Sequence, residues 1–157
     1  MKQSRCGFLA IGVIAAAISV FASAEDAKDE AIKKDRKQIE GTWKIVTLEV
    51  DGNKSTGDDV IKLTVVNGAD GSWILNNDGA EASQGTSTID PAKKPKTIDL
   101  TPTVGDDKGQ KYLGIYEVGE NTRRLCFALT GKPRPTEFSS PVGSEHILVT
   151  FERVKAK

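Results

Sequence analysis

From Gly41 onward the chain is written in short β-rich runs cut by turn residues, and this rhythm constrains the fold more than any other feature. "TWKIVTLEV" is followed by Asp51-Gly52-Asn53, "VIKLTVV" by Asn67-Gly68, and "SWILN" by Asn77-Asp78-Gly79. "SQGTSTI" precedes Asp90-Pro91. Then come "KTIDLT", "KYLGIYEV" before Gly119-Glu120-Asn121, "RRLCFAL" and "HILVTFERV". Asp-Gly and Asn-Gly pairs supply the positive-φ positions of tight hairpins, so they fold one run back on the next. Eight candidate strands at near-regular spacing, with no internal repeat, predict an all-β sandwich or barrel.

Alternation identifies the inner face. Ile61, Leu63 and Val65 share one side against Lys62 and Thr64, and Ile98 and Leu100 oppose Thr97 and Asp99. Leu125, Phe127 and Leu129 oppose Arg124, Cys126 and Ala128, while Ile147, Val149 and Phe151 oppose His146, Thr150 and Glu152. The first run breaks step. Trp43 and Ile45 share a phase that Val46, Leu48 and Val50 do not, which calls for a bulge or sharp bend near Ile45. The runs holding Trp73 and Tyr112 are apolar on both faces and leave their phase open.

The other end of the chain is different in kind. Lys2 and Arg5 precede an apolar stretch from Phe8 to Phe21, and Ala22-Ser23-Ala24 follows as a cleavage site. This is the pattern of a secretory signal over residues 1–24, too short for a membrane span. It predicts an exported protein, periplasmic or extracellular after cleavage near Ala24. Residues 25–40 are charged and rich in helix formers, with Ala27, Ala31, Ile32 and Ile39 along one side, so an amphipathic helix ending at Gly41 is expected. Residues 41–157 then form the β domain. The chain carries 22 Lys+Arg and 22 Asp+Glu. Loss of Lys2 and Arg5 with the leader tips that balance only slightly acidic, and no basic stripe suggests nucleic acid.

Gly41-Thr42-Trp43 follows the helix and begins the first strand, and Arg153 ends the last. This arrangement resembles that of lipocalins (calycins), in which a Gly-x-Trp stretch closes one barrel end and a terminal basic residue lies across the indole. The stretches "GTWKIVTLEVDG", "IDPAKKPKTIDL", "GIYEV" and "LCFALTGKPRPTEF" are similar, in that order, to the planctomycete-type lipocalin-like domain family of unknown function. The resemblance implies a small secreted barrel. It transfers no reaction and no catalytic residues.

The chemical candidates are few. Cys126 shares a face with Arg124, and the sole histidine, His146, points outward from the last strand, so thiol and imidazole could meet. No oxyanion loop or orienting carboxylate accompanies them, and cysteine also serves as a small apolar residue. "DGNKSTGDDVIK" echoes a calcium loop, but Thr56 replaces the turn glycine and Lys62 the final carboxylate. No metal, cofactor or catalytic residue is expected. The loop Asp90–Lys96 reads either as a basic patch at the barrel mouth or as a Pro-stiffened, solvated connection. Arg134 reaches a carboxylate such as Glu137 or Glu145, or water. If Tyr112, Gly114 and Tyr116 face outward, Glu117 points inward and needs a donor such as Arg123.

Together these features predict one eight-stranded, antiparallel, up-and-down lipocalin-like barrel with one N-terminal helix across an end. Eight strands enclose a space that side chains fill or that holds one small ligand. The expected function is non-catalytic binding of a small apolar or amphipathic molecule. Leu63, Val65, Leu100, Phe127 and Val149 would line the interior, joined by Trp73, Tyr112 and Tyr116 if their strands take that phase. The alternative is an envelope protein-interaction module with a solid barrel, acting through the Asp90–Lys96 and Gly131–Ser144 loops.

Overall fold

The computed structural model describes residues 18–155. Helix α1 (Ile18–Ile39) leads into β1 (Gly41–Val50), β2 (Asn53–Thr56), a 3-10 turn at Gly57–Asp59, β3 (Leu63–Asn67) and β4 (Ser72–Asn77). Strands β5 (Ala80–Asp90), β6 (Thr97–Pro102), β7 (Tyr112–Val118), β8 (Thr122–Ala128) and β9 (His146–Arg153) follow. Consecutive strands from β3 to β9 pair antiparallel, and β1 pairs with both β3 and β9. The result is a closed eight-stranded up-and-down barrel. Closure pairs β1 and β3 to β9 on both sides, which protects them from pairing with other chains; the short β2, bonded to β1 alone, keeps a free edge.

Two turns do what their residues dictate. Asp51 and Gly52 both have positive φ, as do Asp78 and Gly79. These type I′-like pairs make the β1–β2 and β4–β5 hairpins. Strand β2 was not expected from the sequence. It folds back on Thr47–Val50 of β1 while β3 takes Gly41–Lys44, so the two share one position in the wall. The intervening turn also corrects the expected inner face. Val60 is buried, whereas Ile61 is 61% exposed, because residues 57–62 coil instead of extending. In β1 the pairing with β9 slips between Ile45 and Thr47, a bulge that turns both Ile45 and Leu48 inward. Of the two devices expected near Ile45, the strand uses the bulge.

The leader expected over residues 1–24 lies, up to position 17, outside the described residues. Helix α1 is continuous from Ile18, so it starts earlier than the helix expected over 25–40. Among the described residues no helix is long and apolar enough to cross a membrane. The helix ends where Gly41 adopts φ +109°, a conformation L side chains rarely take.

Its last turns close one end of the barrel. Ile32 and Ile39 pack on the core. Between them Asp35, 4% exposed, accepts hydrogen bonds from Lys96 Nζ and Tyr116 Oη, each at 2.7 Å. Arg36 donates to the Ser87 hydroxyl and carbonyl, and Lys28 pairs with Asp90. The Asp90–Lys96 loop therefore lies at the helix end and fastens α1; it is not at the mouth.

Beneath the helix, Trp43 is fully buried and its indole N–H donates to Ile39 O at 2.8 Å. The Arg153 guanidinium sits 4.2 Å from its ring centroid and donates to the carbonyls of Gln38, Glu40 and Glu120. A β-carbon at Gly41 would stand 3.3 Å from Arg153 Nη1. Gly41, Trp43 and Arg153 thus form one compact closure in which the arginine ties helix end, first strand and the β7–β8 turn together.

Candidate functional site

The barrel interior is not filled by side chains. A cavity of about 420 Å³ runs along it, lined by Leu63, Val65, Trp73, Leu100, Tyr112, Phe127 and Val149 of the expected wall. Such a volume lies within the roughly 300–1,000 Å³ of small-molecule sites. Ile45, Leu48 and Leu75 complete the apolar walls. Trp73 fits because residue 85 is glycine: a β-carbon there would run into the indole. Its N–H is satisfied by Thr86 O at 3.0 Å, and Tyr112 packs edge-on against Phe127, centroids 6.1 Å apart.

The phase of β7 settles the two tyrosines differently. Tyr112, Gly114 and Tyr116 all face inward, and Glu117 faces out, paired with Arg124. Tyr116 nevertheless misses the cavity. It is buried deeper, under α1, with its hydroxyl on Asp35. Burial, followed by the adjacent Asp35, pushes its phenol well above the ordinary value near 10, so it stays a proton donor.

The two ends of the cavity differ in chemistry. At the end remote from α1 lie Val50, Ser83, Pro102, Asp107 and Leu129; Val50 and Leu129 are exposed apolar side chains on that rim. At the helix end lie Asn67, Phe151 and Arg123. Arg123 is 3% exposed and stands 5.2 Å from the Phe151 ring centroid. Its only hydrogen bond among the described residues runs from Nη1 to Asn67 Oδ1, at 3.3 Å. Arg123 Nε and Asn67 Nδ2 are buried without partners. Burial, helped by the Arg36 charge, lowers the Arg123 pKa from 12.5 to about 10, so the side chain remains a cation at neutral pH. The salt bridges among the described residues do not include it.

The alternation that put Leu125 and Phe127 inside also puts Arg123 there, but the sequence suggested Glu117 as its partner. With Glu117 outside, the guanidinium has no carboxylate partner among the described residues. Asn67 looked like a turn residue, yet it is the last inward position of β3.

A buried cation without an anion costs stability, because the folded state holds its proton less tightly than the unfolded chain. Arg123→Met keeps length and removes charge, so it is expected to stabilise the empty protein by about 1–3 kcal/mol. A thermal melt would then shift upward by roughly 3–10 °C. A lowered midpoint would mean the charge is compensated within the fold.

Outside the barrel, residues 129–145 lie back over β6, β7 and β8. Arg134 donates to Ile98 O and Gly114 O and pairs with Asp99 at 2.7 Å, not with Glu137 or Glu145. Cys126 Sγ donates to Ser139 O at 3.3 Å, and His146 Nδ1 lies 3.4 Å from the same carbonyl. Thiol and imidazole therefore converge on one acceptor and do not bond each other. Burial raises the Cys126 pKa, which favours the inert thiol over the thiolate. Its role here is to hold the loop. Among the described residues no group of three His, Cys, Asp or Glu side chains could hold a metal ion.

Compared with protein-family models, curated proteins and solved structures, the chain matches none.

Proposed function

We propose that this chain is a non-catalytic carrier that takes one small apolar or amphipathic molecule into its barrel, as an exported protein of lipocalin-like type. The observation that carries this reading is the cavity: apolar walls, one open end, and a floor closed by α1 and the Trp43–Arg153 pair. Removing apolar ligand surface from water supplies roughly 25 cal/mol per Å², and a preformed barrel loses little conformational freedom on binding. The Gly131–Ser144 segment is pinned to the barrel flank by Arg134, which speaks against a module that works through a free loop.

The test is titration with a neutral fluorescent apolar probe, N-phenyl-1-naphthylamine. Saturable binding of one probe per chain is expected. Leu100→Trp, which puts an indole into the cavity beside Tyr112, should weaken it at least about tenfold while circular dichroism stays unchanged. Absence of saturable binding, or binding indifferent to Leu100→Trp, would remove the proposal.

A further inference from the structure

The geometry points to a ligand of defined polarity: we infer that the cavity takes an amphiphile with one carboxylate head, seated on Arg123 and Asn67 with its apolar chain toward the mouth. This deepens the binding role proposed above and rests on it.

The unsatisfied atoms choose the head group. Arg123 Nε and Asn67 Nδ2 are both donors, and both residues line the helix end of the cavity. Buried polar groups without partners are rare and call for a physical reason. The complement of two donors is a group that only accepts, and an ionised carboxylate is such a group. An alcohol would bring a donor of its own. An ammonium would meet the cations of Arg123 and, through space, Arg36.

Charge also sets how many anions fit. Among the described residues Arg123 is the one Lys or Arg side chain on the cavity wall, and Asp107 stands at the mouth. A head bound at the mouth would meet that carboxylate, whereas a head at the floor meets an uncompensated guanidinium. A second anion on the chain would return to Asp107, so the class is a monocarboxylate.

The walls choose the remainder. Between Arg123 and the mouth residue Leu129 the wall is made of Leu125, Phe127 and their apolar neighbours. Six residues at roughly 3.3 Å each, tilted by about 40°, give a depth of about 15 Å. That accommodates an extended acyl chain of medium length. Desolvation favours the chain everywhere along this path, and the head alone finds polar partners at its end.

The experiment compares dodecanoate, dodecanol and dodecylammonium, each below its aggregation concentration, by isothermal titration calorimetry at neutral pH. The chains are the unaltered protein, Arg123→Met and Asn67→Asp. The unaltered protein is expected to bind dodecanoate about thirtyfold more tightly than dodecanol, the ratio a charge-assisted hydrogen-bond pair supports, and dodecylammonium weakest. Arg123→Met should bring dodecanoate and dodecanol within about threefold of each other. Asn67→Asp supplies an internal carboxylate of the same size, so it should abolish the preference for dodecanoate over dodecanol. Equal binding of dodecanoate and dodecanol by the unaltered protein would overturn the carboxylate while leaving the carrier role standing. Failure of both to bind would overturn the two together. A preference that survives both substitutions would overturn the placement of the head.

Discussion

Trp43→Ala is expected to lower the free energy of unfolding by about 3–5 kcal/mol, the range for deleting a buried aromatic, and the thermal midpoint by roughly 10–20 °C. Three losses coincide at this position. The indole is completely buried where β1 leaves the helix, so its removal opens a void that β1, β3 and β9 are already paired around. Its N–H no longer satisfies Ile39 O, the last carbonyl of α1. Arg153 also loses the ring beneath it, an interaction of about 0.5–2 kcal/mol. Trp43→Phe keeps much of the volume but loses the N–H bond and weakens the cation contact, so it should fall between the two. Urea denaturation measures both. A cost below about 1 kcal/mol for Trp43→Ala would show that the closure contributes nothing special.

Asp35→Ala is expected to cost about 2–4 kcal/mol and to release the C-terminal half of α1 from the barrel. The carboxylate is nearly inaccessible and receives two donors, from Lys96 on the β5–β6 loop and Tyr116 on β7. Lys96 is half exposed and returns to water when its partner goes. Tyr116 cannot, because its ring is 1% exposed, so its hydroxyl is stranded in the core. Most of the cost therefore belongs to the tyrosine. A double-mutant cycle of Asp35→Ala with Tyr116→Phe should show coupling of at least about 1 kcal/mol. Hydrogen exchange should show α1 amides from residue 32 onward losing protection while the strands keep theirs. Uniform loss across helix and strands would instead mean that the helix and barrel unfold as one unit.

Most strands were legible because several of their turns carry Asp-Gly or Asn-Gly pairs and most of their inner faces alternate. The bulge in β1 was legible from the change of phase at Ile45. Legibility failed where a second layer covers the barrel. On β7 the outward Ile115 is 1% exposed, buried with its neighbour Cys126 beneath the 129–145 loop. An apolar outer position erases the alternation that would have placed Tyr112 and Tyr116. That hidden phase had a direct consequence, since it decides whether the Glu117 carboxylate faces Arg123. Asp35 was missed for a related reason. Its spacing from Ile32 and Ile39 puts it on the docking face, but a carboxylate in a highly charged helix reads as solvated until its partners are known. The cavity itself was beyond sequence reach, because the same wall residues suit a filled interior or an empty one.

The bulkhead formed by α1 and Trp43 makes the barrel a cul-de-sac. Whatever goes in expels water past itself through the same doorway, and the end that enters first departs last. For the ligand proposed above, the rim would govern uptake and the deepest contact the residence time, so distant residues would tune the two separately.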